Sequence, residues 1–308
     1  MAFTAADVKN LREMTGVGMM DCKKALAEAD GNMDKAVEIL REKGLAASQK
    51  KAGRIAAEGM AYAAVIDGVG VVVEVNAETD FVAKNDKFID FVKGVAATVA
   101  ACKPADLDAL MECKYAGTDL TVTQQQQEMV LVIGENIKVR RFAFYTEGVS
   151  VPYIHAGGKI GVLVNLDTDL TAEQVNEAGK DAAMQIAALN PRFWDKSEVT
   201  QEVLDEEKKI MLAQMANDPK MANKPDQVKE KIVDGKLNKF YSENCLLQME
   251  FVRGDLFTGS VEGYIADAAK KAGAKVKFVS AVRFEKGEGI EKKQENFAEE
   301  IAKQLAGN

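Results

Sequence analysis

Glu74-Val75-Asn76-Ala77-Glu78-Thr79-Asp80-Phe81-Val82-Ala83-Lys84-Asn85 follows the apolar run Val71-Val72-Val73. The run reads as a buried strand, and the acidic residues after it read as a short turn that presents one large apolar side chain, Phe81. Two readings of Phe81 stand side by side. It packs beneath the helix it precedes, or it protrudes as a wedge into another protein; side-chain chemistry alone favours packing. Asp80 reads as the cap of the following helix and Glu78 as a solvated charge. Glu74, Glu78 and Asp80 also suggest paired carboxylates or a magnesium site, but no nearby basic or nucleophilic group completes an active site.

Working outward, residues 61–66 and 71–75 read as two strands joined through Asp67-Gly68, a hairpin signal. Phe88, Phe91 and Val92 predict a helix to about residue 101. A turn at Gly134-Glu135-Asn136 precedes a strand over residues 137–145. The second half repeats this pattern. Asn76, Thr79 and Asp80 match Asn165, Thr168 and Asp169 at a separation of 89 (165 minus 76), which sets Leu170 where Phe81 stands. Residues 137–145 match 276–284 at a separation of 139 (276 minus 137), so about 50 residues are inserted in the second copy. The insertion reads as residues 197–244, an antiparallel helical hairpin with coiled-coil character. Its first helix begins at Ser197-Glu198-Val199 and carries Val199, Val203, Ile210 and Ala213; its second carries Val228, Ile232, Leu237 and Phe240. With little apolar surface to spare, the hairpin is expected to project.

Residues 1–52 read as three short helices resembling a ubiquitin-associated module. Thr4 caps the first, with Asp7 completing a capping box. Gly16 and Gly18 break the chain, Asp21 caps the second helix, and Gly44 ends the third. Residues 46–54 then read as a basic linker. Met19 and Met20 flank the glycine turn, and two adjacent side chains at a helix start do not easily both point inward. Gly16-Val17-Gly18 is no nucleotide loop: it follows a helix, lacks the third glycine, and is not followed by Gly-Lys-Ser/Thr. At the other end Phe297, Ile301 and Leu305 predict an amphipathic helix that docks on its own core or on a partner. The fold class is thus α+β: residues 1–52 a helical module, 53–148 and 149–286 a duplicated core with the hairpin inserted in its second half, and 287–308 a C-terminal helical module.

Composition narrows the function. The 308 residues hold 48 acidic against 40 basic side chains, and an acidic chain is a poor non-specific ligand for nucleic acid. The cysteines, Cys22, Cys102, Cys113 and Cys245, have no C-x-x-C spacing and read as reduced thiols. His155 is the only histidine, which disfavours His-based metal sites and most Ser-His or Cys-His catalysis. It lies in Tyr153-Ile154-His155-Ala156-Gly157-Gly158-Lys159-Ile160, a turn before a strand or a partner contact. The N-terminus lacks a signal-peptide pattern, and no apolar run approaches the roughly 20 residues of a membrane span, so a cytoplasmic location is expected.

The chain resembles the translation elongation factor Ts family. Leu11-Arg12-Glu13-Met14-Thr15-Gly16-Val17-Gly18-Met19-Met20-Asp21-Cys22-Lys23-Lys24-Ala25-Leu26 is similar to that family's N-terminal signature, and residues 74–84 to its second. The resemblance continues through residues 133–137, 155–164 and 283–291; Ala77 stands where the family often has Cys or Ser. It implies a guanine nucleotide exchange factor for the GTPase elongation factor Tu, not an enzyme, needing no cofactor or metal of its own. Thr79, Asp80, Phe81 and Val82 are implied to enter beside the partner's nucleotide site and dislodge its magnesium. Arg12, Met19 and Met20 are implied to grip the GTPase domain, with His155 and the C-terminal helix touching other parts of the partner. The implied complex is 1:1 or 2:2, with no direct nucleic-acid, membrane or small-molecule ligand.

Overall fold

The computed structural model describes residues 3–218, 221 and 224–291. It is a mixed helix and sheet fold. The first three helices are α1 (Ala5–Thr15), α2 (Met19–Glu28) and α3 (Met33–Lys51), packed around Leu11, Cys22, Ala25, Leu26, Ala36 and Leu40. Thr4 caps α1, and the Asp7 carboxylate accepts the Thr4 backbone N–H at 2.7 Å, closing the capping box. Asp21 does not cap α2. The helix starts at Met19 behind Gly18, which leaves Asp21 in the first turn, where its charge faces the positive end of the helix dipole.

Strands β1 (Glu58–Ile66) and β2 (Val69–Ala77) form the expected hairpin, longer than its apolar core, with Asp67 and Gly68 at φ 50° and 80°. A one-turn helix, α4 (Asp80–Ala83), leads to α5 (Asp86–Cys102), α6 (Leu107–Glu112), α7 (Val122–Ile133) and β3 (Lys138–Tyr145), which pairs antiparallel with the other edge of β2. Every residue of β2 is buried. Val71, Val73 and Val75 meet Phe88, Phe91 and Val92 of α5, while Val72 faces the second sheet. A strand covered on both faces reads as a continuous apolar run rather than an alternation.

Gly44 and residues 46–51 depart from the expected helix end and linker. Helix α3 continues through Gly44 because the helix crosses α7 there: a Cβ on Gly44 would stand 3.2 Å from the Gln127 carbonyl oxygen. The glycine permits a close helix contact, and helix runs on to Lys51.

The second half contains β4 (Val149–His155), β5 (Ile160–Thr168), α8 (Ala172–Leu189), α9 (Gln201–Asn217), α10 (Asp226–Asn244), α11 (Val261–Ala272) and β6 (Val276–Glu285). Its sheet has the order β4-β5-β6, as the first has β1-β2-β3, and both are antiparallel. Tyr62 stands opposite Val73 as Tyr153 stands opposite Val162. The third strands correspond with a two-residue displacement. Phe142 faces Val73 and Arg283 faces Val162, a separation of 141 (283 minus 142), not 139. The register irregularity falls between Glu74 and Val75 in one sheet but between Asn165 and Leu166 in the other. The sheets stack face to face through Ala61, Ala63, Val72, Leu163 and Phe284.

Helices α9 and α10 are antiparallel, since Val199, just before α9, packs on Phe240 and Cys245 at the end of α10. The first helix starts at Gln201 rather than Ser197, because Thr200 caps it and residues 196–198 make a separate 3-10 turn. The seam is also rotated from the expected heptad. Ile210 and Val228 are exposed, while Met215 and Val233 are buried. The amphipathic stretch with Phe297, Ile301 and Leu305 lies outside the described residues. Among the described residues, no helix is long and apolar enough to cross a membrane.

Candidate partner-binding surface

The turn after β2 is built by two carboxylates on two facing turns. Glu135 follows α7 and accepts the Glu78 N–H at 3.1 Å, the Thr79 N–H at 3.0 Å and the Thr79 hydroxyl at 2.7 Å. Reciprocally, Glu78 accepts the Asn136 N–H at 2.6 Å and lies 3.5 Å from the Arg54 guanidinium. Thr79 in turn caps α4, its Oγ1 accepting from the Val82 N–H. The cap is therefore Thr79 and not Asp80, which is the first helical residue and pairs with Lys84 at 2.9 Å. The hydrogen bond from the Lys84 ammonium holds the Asp80 carboxyl below its ordinary pKa.

Successive residues of α4 point in different directions. Val82 turns inward and joins the core between β2 and α5. Phe81 turns outward and is 81% exposed, so the packing reading of this ring is wrong. A cleft of about 460 Å³ opens beside it, lined by Thr79, Asn85, Lys87, Val132 and Glu135 among others. A neighbouring cleft of about 330 Å³ shares Lys87 and Val132 and continues to Met14 and Gly16. Lys87 bridges them, donating from Nζ to the Gly16 carbonyl at 3.1 Å. The glycine turn of the helical module and the Phe81 turn thus belong to one surface.

Met14 lines this surface, and the glycine turn leads directly into two more exposed methionines. Met14 is 61% exposed, Met19 50% and Met20 63%, so neither residue of the adjacent pair fills the core. Arg12 is exposed on α1. His155 stands apart from these residues in sequence and sheet. It ends β4, is exposed, and its Nδ1 is 3.0 Å from the Tyr153 hydroxyl. The turn after it packs back on the first sheet, where Gly158 meets Met60.

The three carboxylates do not converge. Glu74 is fully buried and accepts four donors: Gly287 N–H at 2.8 Å, Arg140 Nη1 at 2.9 Å, Asn76 Nδ2 at 3.0 Å and Arg141 Nε at 2.5 Å. Glu78 and Asp80 have the separate partners given above. Among the described residues, no group of three or more His, Cys, Asp or Glu stands where it could hold a metal ion.

A family model described as "Elongation factor TS" matches residues 78–288, beginning inside the turn that carries Phe81. The chain belongs to the elongation factor Ts family. It is 47% identical to the elongation factor Ts of Clostridium tetani over 307 residues, covering 98% of this chain and 99% of that one. It is 49% identical to that of Clostridioides difficile over 306 residues, covering 98% of each. The elongation factor Ts of Syntrophotalea carbinolica is 47% identical over 305 residues, with 98% of this chain and 99% of the relative covered.

In this elongation factor Ts chain, sequence reasoning had not singled out Met14, Lys87 or Glu135 as parts of the surface. Met14 carried the same signal as Met19 and Met20, an apolar residue at the edge of a glycine turn. Lys87 and Glu135 act across 71 and 56 residues of sequence, and local pattern carries no sign of such pairs.

Proposed function

We propose that the chain is a guanine nucleotide exchange factor for elongation factor Tu, acting in the cytoplasm without a cofactor of its own. The single observation that carries this is an exposed phenylalanine on a short helix whose cap, Thr79, donates both its backbone N–H and its hydroxyl to the Glu135 carboxylate. An apolar ring displayed on an ordered turn adds nothing to the core and is ready to be buried elsewhere.

In this reading the Phe81 ring enters beside the partner's nucleotide site, with Thr79 and Asp80 following, while Val82 anchors the turn to its own core. Entry displaces the magnesium ion that neutralises the phosphates, and GDP loses a major charge partner. Linkage sets the scale: a factor that weakens GDP tenfold must itself bind the nucleotide-free partner about 1.4 kcal/mol better than the GDP-bound one. Burying one aromatic ring supplies roughly 1.5–3 kcal/mol. Arg12, Met19 and Met20 grip the GTPase domain, since methionine adapts to irregular surfaces. His155 makes a second contact from the other sheet. One or two copies of each protein form the complex.

The test is release of labelled GDP from elongation factor Tu. The chain is expected to accelerate release in excess unlabelled nucleotide. Binding that leaves the release rate unchanged would make it an adaptor instead.

A further inference from the structure

Given the exchange reading above, we infer that Glu135 is the positioning residue of the Phe81 turn, acting on nucleotide release through Phe81 rather than by touching the partner. A four-residue helix is far too short to hold itself, so its direction is set by its cap. The cap is Thr79, and Thr79 is set by Glu135. The Glu135 carboxylate accepts a hydrogen bond from the Thr79 hydroxyl, which leaves an Oγ1 lone pair for the Val82 N–H. It also takes the backbone N–H groups of Glu78 and Thr79. The bonds to a charged acceptor are strong ones, and together they fix the hydroxyl, the backbone and the start of α4.

The second half of the chain supplies an internal control. Its matching turn keeps the glycine after the helix, since Gly273 ends α11 as Gly134 ends α7, both with positive φ. Where the first copy sets the Asn136 backbone N–H on Glu78, it has an exposed ion pair between the Lys275 ammonium and Asp167. Counted from that glycine, the place of Glu135 falls to Ala274, and counted by strand register it falls to Val276; neither side chain carries a carboxylate. It also lacks the one-turn helix: α8 starts later, capped by Thr171, and Leu170 packs against the core. The extra carboxylate and the displayed ring occur together in one copy and are absent together from the other.

The test is a double-mutant cycle on GDP release, with Glu135→Gln and Phe81→Ala made singly and together in the full chain. Gln keeps the size of Glu but sets an N–H group against at least one of the three donors. Glu135→Gln is expected to slow stimulated release roughly tenfold, the scale of one charge-assisted hydrogen bond, and to add nothing once Phe81 is gone. Slowing by the same factor in the Phe81→Ala background, or no slowing at all, overturns the proposal. Should Glu135→Gln melt below the assay temperature, Thr79→Val removes the hydroxyl that joins Glu135 to the Val82 cap, spares the two backbone bonds, and must show the same silence beside Phe81→Ala. Amide hydrogen exchange separates the two claims. Faster exchange at Glu78 and Thr79 in Glu135→Gln is expected even if the wild-type chain fails to accelerate GDP release, which would sink the exchange reading alone; unchanged protection there sinks the positioning role.

Discussion

Phe81 and Leu170 occupy matching places in two similar strand-to-helix turns, and only Leu170 is packed against a core. Each follows a Thr-Asp pair at the end of the central strand of its sheet. The difference lies in the helix that follows. In the first copy an extra turn, α4, rolls the residue after Thr-Asp outward and Val82 inward. In the second copy no such turn intervenes, and Leu170 lies along its own core.

Phe81→Ala is therefore expected to leave the fold untouched and to impair function. A ring that is already four-fifths in water loses almost nothing by removal, so the melting temperature is expected to move by less than about 1 °C. Stimulated GDP release is expected to slow by roughly tenfold to a hundredfold, the worth of one buried aromatic ring. Stopped-flow release and calorimetry on the same preparation decide it, and release at the wild-type rate would remove Phe81 from the mechanism.

Met19→Ala with Met20→Ala makes the parallel case for the helical module. Both side chains are at least half exposed, so stability is expected to fall by less than about 0.5 kcal/mol. Affinity for nucleotide-free elongation factor Tu is expected to fall by about tenfold or more, since each buried Met is worth roughly 1.5–3 kcal/mol. Titration calorimetry reads the affinity, and a large melting shift with unchanged affinity would return the pair to an intramolecular role.

Much of this fold was legible in the sequence because its signals are local. The Thr4 and Asp7 box, the Asp67-Gly68 hairpin and the Phe88-Phe91-Val92 helix face all depend on residues within a few positions of one another. Some errors were local, such as the caps placed at Asp21 and Asp80, but others arose where long-range packing overrode a local signal. Gly44 looked like a helix end, yet it is a crossing point whose partner, Gln127, is 83 residues away (127 minus 44). Ile210 fitted a heptad, yet the seam of the hairpin passes Met215 and Val233 instead. At the candidate site, the apolar character of Phe81 was read from the sequence but its direction was not. Direction depends on Thr79 as the cap, and the cap depends on Glu135, far along the chain.

Glu74 makes stability depend on pH. Burial alone would push its pKa up, but the Gly287 N–H, Arg140, Asn76 and Arg141 outweigh burial and hold it below the ordinary value of 4.5. A carboxyl with a depressed folded pKa stabilises the protein above its unfolded pKa, about 4.3, and loses that contribution as pH falls through the folded value. Urea midpoints are thus expected to be flat in this respect from pH 7 to about 5 and to drop below about 4.3. Glu74→Gln is expected to cost about 3 kcal/mol at pH 7, because it leaves the Arg140 and Arg141 charges without their buried partner, and to flatten the acid limb. The figure sits at the low end for such pairs because both arginine side chains keep roughly a quarter to a third of their surface in water. An acid limb as steep in Glu74→Gln as in the wild type would assign the effect to other carboxylates.

Gly287 and Gly289 allow strain to be separated from collision. Both adopt left-handed backbone, with φ of 71° and 74°, so Ala at either position carries the same conformational cost, about 1–2 kcal/mol. Their surroundings differ. A Cβ on Gly289 meets nothing closer than an Arg140 nitrogen at 4.0 Å, whereas a Cβ on Gly287 collides with the Ala57 carbonyl. Gly287 also donates its N–H to Glu74, so pushing it away from Ala57 breaks one bond of the buried carboxylate. Gly289→Ala is accordingly expected to cost about 1–2 kcal/mol and Gly287→Ala at least about 1.5 kcal/mol more. Combining each with Glu74→Gln sharpens the assignment. The Gly289 variant should add to it, and the Gly287 variant should add less than its own cost, because part of that cost is the lost bond to Glu74. Equal destabilisation by the two glycine changes, measured by urea unfolding at pH 7, would show that the chain after β6 yields freely and that Glu74 does not clamp it to the first sheet.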